Sequence, residues 1–276
     1  MKKVRLTALL VILSLFGAFA QNFKVRTTGK GAQTLIFIPG FACSDEVWNA
    51  TIANFEKDYT CISLTMPGFA GVPAEQSPTF EGWKTQIASY IQSQKISKPV
   101  IVGHSMGGVL AMAVAADYPD LAGGVVVVDA LPCLAAMMDP GFKSNPALDC
   151  SPAVSQITTM SDEQFLQMQK AGIPRMMSSR DKDDLVIGWT VKSDRKTFAG
   201  MFCDFSNTDL RERISEITCP VLVLLESYFV NFKPGIEGQY KNLKTARLEY
   251  ATKGLHFIMY DDKEWFDDRL TNFIRK

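Results

Sequence analysis

An α/β architecture, with a mostly parallel, doubly wound sheet and a helical insertion, follows from three features of the chain. Short apolar runs of strand length alternate with stretches of helical spacing. At Gly103-His104-Ser105-Met106-Gly107 a strand gives way to a helix within a few residues. Strand signals then cease from Pro132 to about Asn207 and resume beyond it.

Taken in order, Phe23 to Thr28 alternates apolar and polar residues as an outer strand does, whereas Thr34 to Ile38 is a continuous apolar run suited to a central one. Pro39-Gly40 ends that run, and Asp45 to Phe55 is expected to form a helix with acidic residues in its first turn. Cys61 to Thr65 is a further strand, followed by the Pro/Gly loop Met66 to Gly71. From Phe80 to Ile96, Phe80, Trp83, Ile87, Tyr90 and Ile91 recur at helical spacing. Val100 to Val102 is β-branched, Val109 to Ala116 is an Ala-rich helix, and Gly124 to Val128 is a buried strand that ends at Asp129. In the next segment Ser161-Asp-Glu-Gln164 is a capping box, and helices are expected after Asp181 and Asp194. Pro220 to Leu225 and Ala246 to Tyr250 restore the strands, and Asp261 to Ile274 closes the chain as an amphipathic helix. Ligands on such a sheet belong at the carboxyl ends of the strands.

The turn at Gly103 to Gly107 fits G-x-S-x-G. A strand that becomes a helix this abruptly forces its central residue into strained geometry, and only flanking glycines let the two elements approach. The strain lifts the hydroxyl of Ser105 clear of the sheet, and the turn aims the Met106 N–H and the positive end of the helix at whatever Ser105 attacks. The motif alone also suits a plain Gly-rich turn; the strand before it and the helix after it favour the nucleophile. Gly-His-Ser-Met-Gly-Gly resembles the α/β-hydrolase superfamily, and the resemblance runs from about Phe23 to the C-terminus with a variable insertion. It implies a core of residues 21–131 and 208–276 and a helical cap at 132–207. It also implies a second oxyanion-hole N–H from Phe41, since Pro39-Gly40-Phe41 is similar to a family segment that usually carries His where Pro39 stands. Met66 to Gly71 resembles the family's Asp-x-Pro-Gly-x-Gly loop.

A serine hydroxyl is a weak nucleophile until a base takes its proton. The chain has two histidines. His104 precedes Ser105 on the elbow, so its ring is directed away from the hydroxyl, toward support or pocket lining. His256 follows the last strand, where the family places its base. Most relatives carry the acid just past the strand here spelled Val221 to Leu225, but the chain continues Glu226-Ser-Tyr with no aspartate. Asp129, at the end of the preceding strand, is the favoured acid, and Glu226 the alternative. A Ser nucleophile disfavours the dehalogenase and epoxide-hydrolase members, which attack with Asp. It leaves acyl transfer to water, with an ester as the default and peptidases, C–C hydrolases, lactonases and perhydrolases sharing the same parts. A small-molecule receptor of the same fold, with little turnover, is the reading of another class.

Seven of the twelve methionines (137, 138, 160, 168, 176, 177 and 201) fall in the insertion. A Met-rich lid suits an apolar small-molecule substrate of variable shape; the same residues also serve to fill a cap–core interface. No cofactor motif and no metal-ligand spacing is present, and balanced charge, 29 basic against 29 acidic residues, argues against nucleic-acid partners. Lys2, Lys3 and Arg5, then the apolar Leu9 to Phe16, then Ala18-Phe19-Ala20, have the form of a secretory leader over residues 1–20. Export to the periplasm or medium after cleavage near Ala20, with no stable membrane anchor left, is therefore expected. In an oxidising compartment the six cysteines are free to pair; Cys133 with Cys150 is the expected bridge, and Cys61 and Cys219, in apolar runs, are expected as buried thiols.

Overall fold

A computed structural model describes residues 22–275; the leader expected at residues 1–20 lies outside them. The strands are β1 (Lys24–Thr28), β2 (Thr34–Ile38), β3 (Thr60–Thr65), β4 (Val100–His104), β5 (Gly124–Val128), β6 (Val221–Leu225) and β7 (Ala246–Tyr250). They form one sheet in the order β1-β3-β2-β4-β5-β6-β7, parallel except for β1, which runs antiparallel to β3 at the edge. The chain winds from β2 to β3 on one side and then crosses back to β4 on the other. The carboxyl ends of β2 and β4 therefore flank the switch point where a crevice opens.

The central strands are apolar without alternation because both faces are covered. In β5, Val125 and Val127 enter one core while Val126 and Val128 enter the other, all fully buried. Each such side chain contributes about 1.5–3 kcal/mol relative to exposure. The first face is covered by α2 (Phe80–Ser93) and α3 (Met106–Asp117), and the second by Trp48, Phe55 and the C-terminal helix through Phe266, Leu270 and Ile274. Burial of α3 on all sides explains its Ala-rich composition.

Two helices differ from expectation. Asp45 to Phe55 is a tight turn over Asp45–Trp48 followed by the single turn α1 (Asn49–Ile52). Asp45 is not a solvated first-turn acid. It is buried, and it accepts hydrogen bonds from Arg26 of the edge strand (2.6 Å) and from the Thr65 hydroxyl (2.8 Å), which fixes the tight geometry. The terminal helix breaks at Asp262, whose carboxylate accepts from the backbone of Thr252 and Lys253.

Between β5 and β6 the chain forms α4 (Ser151–Thr158), α5 (Asp162–Gly172), α6 (Asp183–Val191) and α7 (Arg195–Ser206). The capping box at Ser161 and Gln164 opens α5, and Asp194 caps α7 by accepting from the Thr197 N–H. After β6, α8 (Lys233–Gln239) leads to β7, and the chain ends with α9 (Ile258–Asp261) and α10 (Lys263–Ile274). The disulfide joins Cys150 to Cys203, not Cys133 to Cys150. Cys150 immediately precedes α4, which lies along the Cys203-bearing α7. Cys133 is instead a fully buried thiol, its N–H held by the Gln239 side chain. Cys61 and Cys219 are buried thiols as expected. No described helix is long and apolar enough to cross a membrane.

Candidate active site

Ser105 stands between β4 and α3 at φ 53°, ψ −125°, a region that costs a non-glycine residue about 1–3 kcal/mol. Its neighbours hold it there. The Ser105 N–H donates to the Val128 carbonyl at 2.8 Å. A Cβ on Gly103 would lie 2.1 Å from the Gly107 carbonyl oxygen, and one on Gly107 would lie 2.4 Å from the carbonyl oxygens of Ile38 and Pro39. The two glycines of the motif are thus required by close approach of backbones, as the sequence argument holds. Gly40 has the same character: a Cβ there would meet the His104 ring at 2.7 Å and the Ser105 Cβ at 3.2 Å. This contact brings the loop after β2 against the nucleophile. Among the described residues, the backbone N–H groups of Phe41 and Met106 donate to no protein acceptor.

Asp129 closes β5 in a second strained turn, φ 47°, fixed by its N–H to the Leu224 carbonyl at 2.7 Å. Its carboxylate accepts from the Glu226 N–H (2.7 Å) and from Nδ1 of His256 (2.6 Å). The structure therefore brings Asp129 to the imidazole, whereas the Glu226 side chain makes no hydrogen bond to it. Burial and the neighbouring Asp129 push the Glu226 carboxyl up to about 7. Burial opposes protonation of His256, but the carboxylates of Asp129 and Glu226 outweigh it and leave the ring above its ordinary value. Ser105 and His256 face the same cavity, with no hydrogen bond between hydroxyl and ring.

His104 does line that cavity, and it also holds the His256 loop in place. Its ring is buried, and Nε2–H donates to the His256 carbonyl at 2.8 Å. Burial and the nearby His256 keep it well below the usual imidazole range, so it is neutral. Asp261, which the sequence argument missed, takes the other side of the loop. It accepts from the Leu255 N–H (2.9 Å) and also from the N–H groups of Ser178 and Ser179 in the insertion (2.8 and 3.1 Å). One carboxylate thus ties the His256 loop to the cap. The loop Met66 to Gly71 does the same elsewhere: the Gly68 carbonyl accepts from the Asp194 N–H (2.7 Å), and the Ala70 N–H donates to the Ser193 hydroxyl (3.1 Å).

The cavity, of about 680 Å³, lies between the sheet edge and the insertion. Its wall is aromatic more than methionine-rich. Six phenylalanines reach it (Phe41, Phe198, Phe202, Phe205, Phe229 and Phe257), but of the seven methionines only Met168 and Met176 do. Met201 and Met177 are buried in the cores, and Met138 is exposed. The Phe41 ring packs on Phe198 and Phe202 of α7 at 4.7 and 5.4 Å, joining the loop after β2 to the cap. Among the described residues, the ionisable side chains on the wall are Cys43, His104, Asp129 and His256. Burial pushes the Cys43 thiol up to about 12, which removes it as a competing nucleophile. Among the described residues no cluster of three or more His, Cys, Asp or Glu side chains is placed to hold a metal ion. A hydroxyl at a helix N-terminus and a carboxylate-backed imidazole on one apolar cavity, with unpaired backbone N–H groups on the residue after the serine and in the loop after β2, are the parts needed for attack on a carbonyl.

A family model described as "Alpha/beta hydrolase family" matches residues 35–266. A pimeloyl-[acyl-carrier protein] methyl ester esterase of Citrobacter koseri is 26% identical over 201 residues, 72% of this chain and 77% of that protein. Among solved structures, the enol-lactonase from Burkholderia xenovorans LB400 superposes with a TM-score of 0.77 at 16% identity, covering 92% of this chain and 96% of that one. A thermophilic esterase from Thermogutta terrifontis does so with a TM-score of 0.77 at 16% identity, covering 92% and 93%. At that identity the two structures speak for the fold alone.

Proposed function

The chain belongs to the alpha/beta hydrolase family, and from that premise we propose that it is an exported serine hydrolase cleaving a carboxylic ester of a small, largely apolar substrate through an acyl-enzyme. The observation that carries the reading is the 2.6 Å hydrogen bond from His256 Nδ1 to Asp129, with Nε2 left free toward the cavity that Ser105 faces.

In this mechanism the Ser105 hydroxyl attacks the ester carbonyl and its proton passes to Nε2 of His256. Asp129 fixes the tautomer and stabilises the imidazolium. The N–H groups of Phe41 and Met106 receive the oxyanion. Collapse expels the alcohol, which takes the proton from His256. A water, deprotonated by the same ring, then attacks the acyl-serine and releases the acid. An ester is favoured over a peptide because, among the described residues, no lysine or arginine, and no carboxylate besides Asp129, lines the cavity to receive a charged peptide terminus. The receptor alternative drew on the lack of an aspartate after β6; with Asp129 bonded to the ring, that lack no longer favours it.

Export draws support from the leader pattern and from the Cys150–Cys203 disulfide, a bond that persists in oxidising compartments. A fluorophosphonate probe tests the chemistry. It is expected to label Ser105 in the wild-type protein and to leave His256→Ala unlabelled. Hydrolysis of p-nitrophenyl esters, with aminoacyl amides untouched, is the accompanying result; amide-only cleavage would reassign the protein to the peptidases.

A further inference from the structure

We propose that Gln169 forms a polar subsite in the cap, and that the substrate carries an uncharged hydrogen-bonding group, a hydroxyl, amide or ester oxygen, remote from the bond that is cut. The proposal rests on the ester-hydrolase reading and names its substrate class.

Helix α5 turns one stripe inward, formed by Phe165 and Gln169 four residues apart and continued by Ile173 just past its end; all three are buried. Such a stripe calls for an apolar residue at each position. Gln169 breaks it. Its side chain is 6% exposed, it borders the cavity, and its amide Nε2 is buried without any hydrogen-bond partner. A buried amide without a partner destabilises the fold, and a leucine of similar size would avoid that cost. Turning the amide by half a revolution about its last torsion brings Nε2 to the place of Oε1, which is not fully buried, and there a substrate group in the cavity can meet it. Elsewhere on the wall the Thr190 hydroxyl donates back to the Ile187 carbonyl of its own helix, and Gln156 of α4 carries the other side-chain amide.

The chemistry of the wall also sets the charge of the group. An anionic tail entering the cavity would be desolvated with no lysine or arginine to meet it. An amide presents both donors and an acceptor, so a neutral hydroxyl or amide pairs with it whichever way its own oxygen and nitrogen are turned, and an ester oxygen, an acceptor only, pairs with its N–H.

The test compares p-nitrophenyl octanoate with its monohydroxylated analogues, the hydroxyl moved stepwise along the chain, on the full-length protein. The quantity read is the ratio of kcat/KM, hydroxylated over plain. At the best position the ratio is expected to exceed one, and in Gln169→Leu it is expected to fall about tenfold, through KM of the hydroxylated ester. Gln169→Met, which keeps the length of the side chain, gives the same fall and serves if the leucine variant does not fold. A Tm at or above that of the wild type in both variants is the companion result, since an unpaired buried amide has been removed. A ratio that neither substitution moves would overturn the subsite and leave the amide to ordered water. Should neither ester be cut and Ser105 resist the fluorophosphonate, the hydrolase reading fails by itself. The subsite is then judged by calorimetric binding of the methyl esters of octanoic and hydroxyoctanoic acid, where equal affinities overturn it.

Discussion

The two sides of the cavity treat their glycines in opposite ways. On the sheet side, a Cβ on Gly103 or Gly107 would come within 2.1–2.4 Å of backbone carbonyl oxygens. On the cap side, a Cβ on Gly172 or Gly188 would meet nothing within 4 Å. The same contrast holds for the working groups. Ser105 and Asp129 are set by backbone hydrogen bonds and positive φ angles, and the His256 loop by the His104, Asp129 and Asp261 side chains. The cap is instead held mostly by side chains, the Phe41–Phe198 and Phe41–Phe202 contacts, the Asp261 carboxylate and one disulfide, beside the backbone bond from the Asp194 N–H to the Gly68 carbonyl. Groups that must meet a reacting atom within tenths of an ångström sit where the backbone has a single solution. Groups that only shape the cavity sit where many side chains would serve.

That contrast is sharpened most by Asp129→Asn, which should lower kcat by roughly three to four orders of magnitude by stabilising the wrong tautomer. Glu226→Gln should change kcat less than about threefold, and it separates the carboxylate that holds the ring from one that only biases its charge. The sign of the pH effect follows. His256 acts as a base only when unprotonated and sits above its ordinary 6.5, so the acid limb of kcat/KM is expected above that pH. Removing the negative charge of Glu226 lowers the ring's pKa and moves the limb to lower pH; a limb moving upward, or a larger loss from Glu226→Gln than from Asp129→Asn, would reverse the assignment of the acid.

Gly107→Ala comes next. Its methyl would push on the Ile38 and Pro39 carbonyls, and a loss of about 3 kcal/mol or more in urea unfolding, with ester hydrolysis lowered at least about a hundredfold, is the expected result. On the cap side, Cys150→Ser opens a bridge across 53 residues and should cost about 2–4 kcal/mol of thermal stability while leaving acetyl-ester turnover within about threefold. If that substitution stopped turnover of so short an ester, the division between a chemical side and a shaping side would be wrong. The smallest effect is expected for Gly188→Ala in α6, which should raise stability by about 0.5–1 kcal/mol, read as a small increase in Tm.

Much of the sheet side was legible because its signals are local. An apolar run buried on two faces and two glycines around a serine each act within a few residues, as does the capping box on the cap side. Asp129 was legible in part: it and Glu226 both stand at strand ends on the sheet's carboxyl edge, and only the bond to His256 separates them. The misreadings have a shared cause. Asp45 to Phe55 was expected as one helix but forms two short turns, with Asp45 drawn inward by Arg26 and Thr65 from two strands. Cys150 was expected to pair with the cysteine nearest before it, yet α7 returns Cys203 beside it. The methionine-rich composition of the cap did not reveal that phenylalanines from the core, the cap and the His256 loop would build the cavity wall.

By itself, then, the sequence determined the architecture and the strained serine, which follow from burial pattern and backbone sterics, and it narrowed the ring's carboxylate to Asp129 or Glu226, both at strand ends that topology brings to one edge. Only the tertiary structure decided how the cap is fastened, which cysteines are bridged, that Asp261 couples cap to base, and that Gln169 is left without a partner. These depend on which side chains meet across long separations, and helix spacing fixes the face a residue occupies without fixing what stands opposite it.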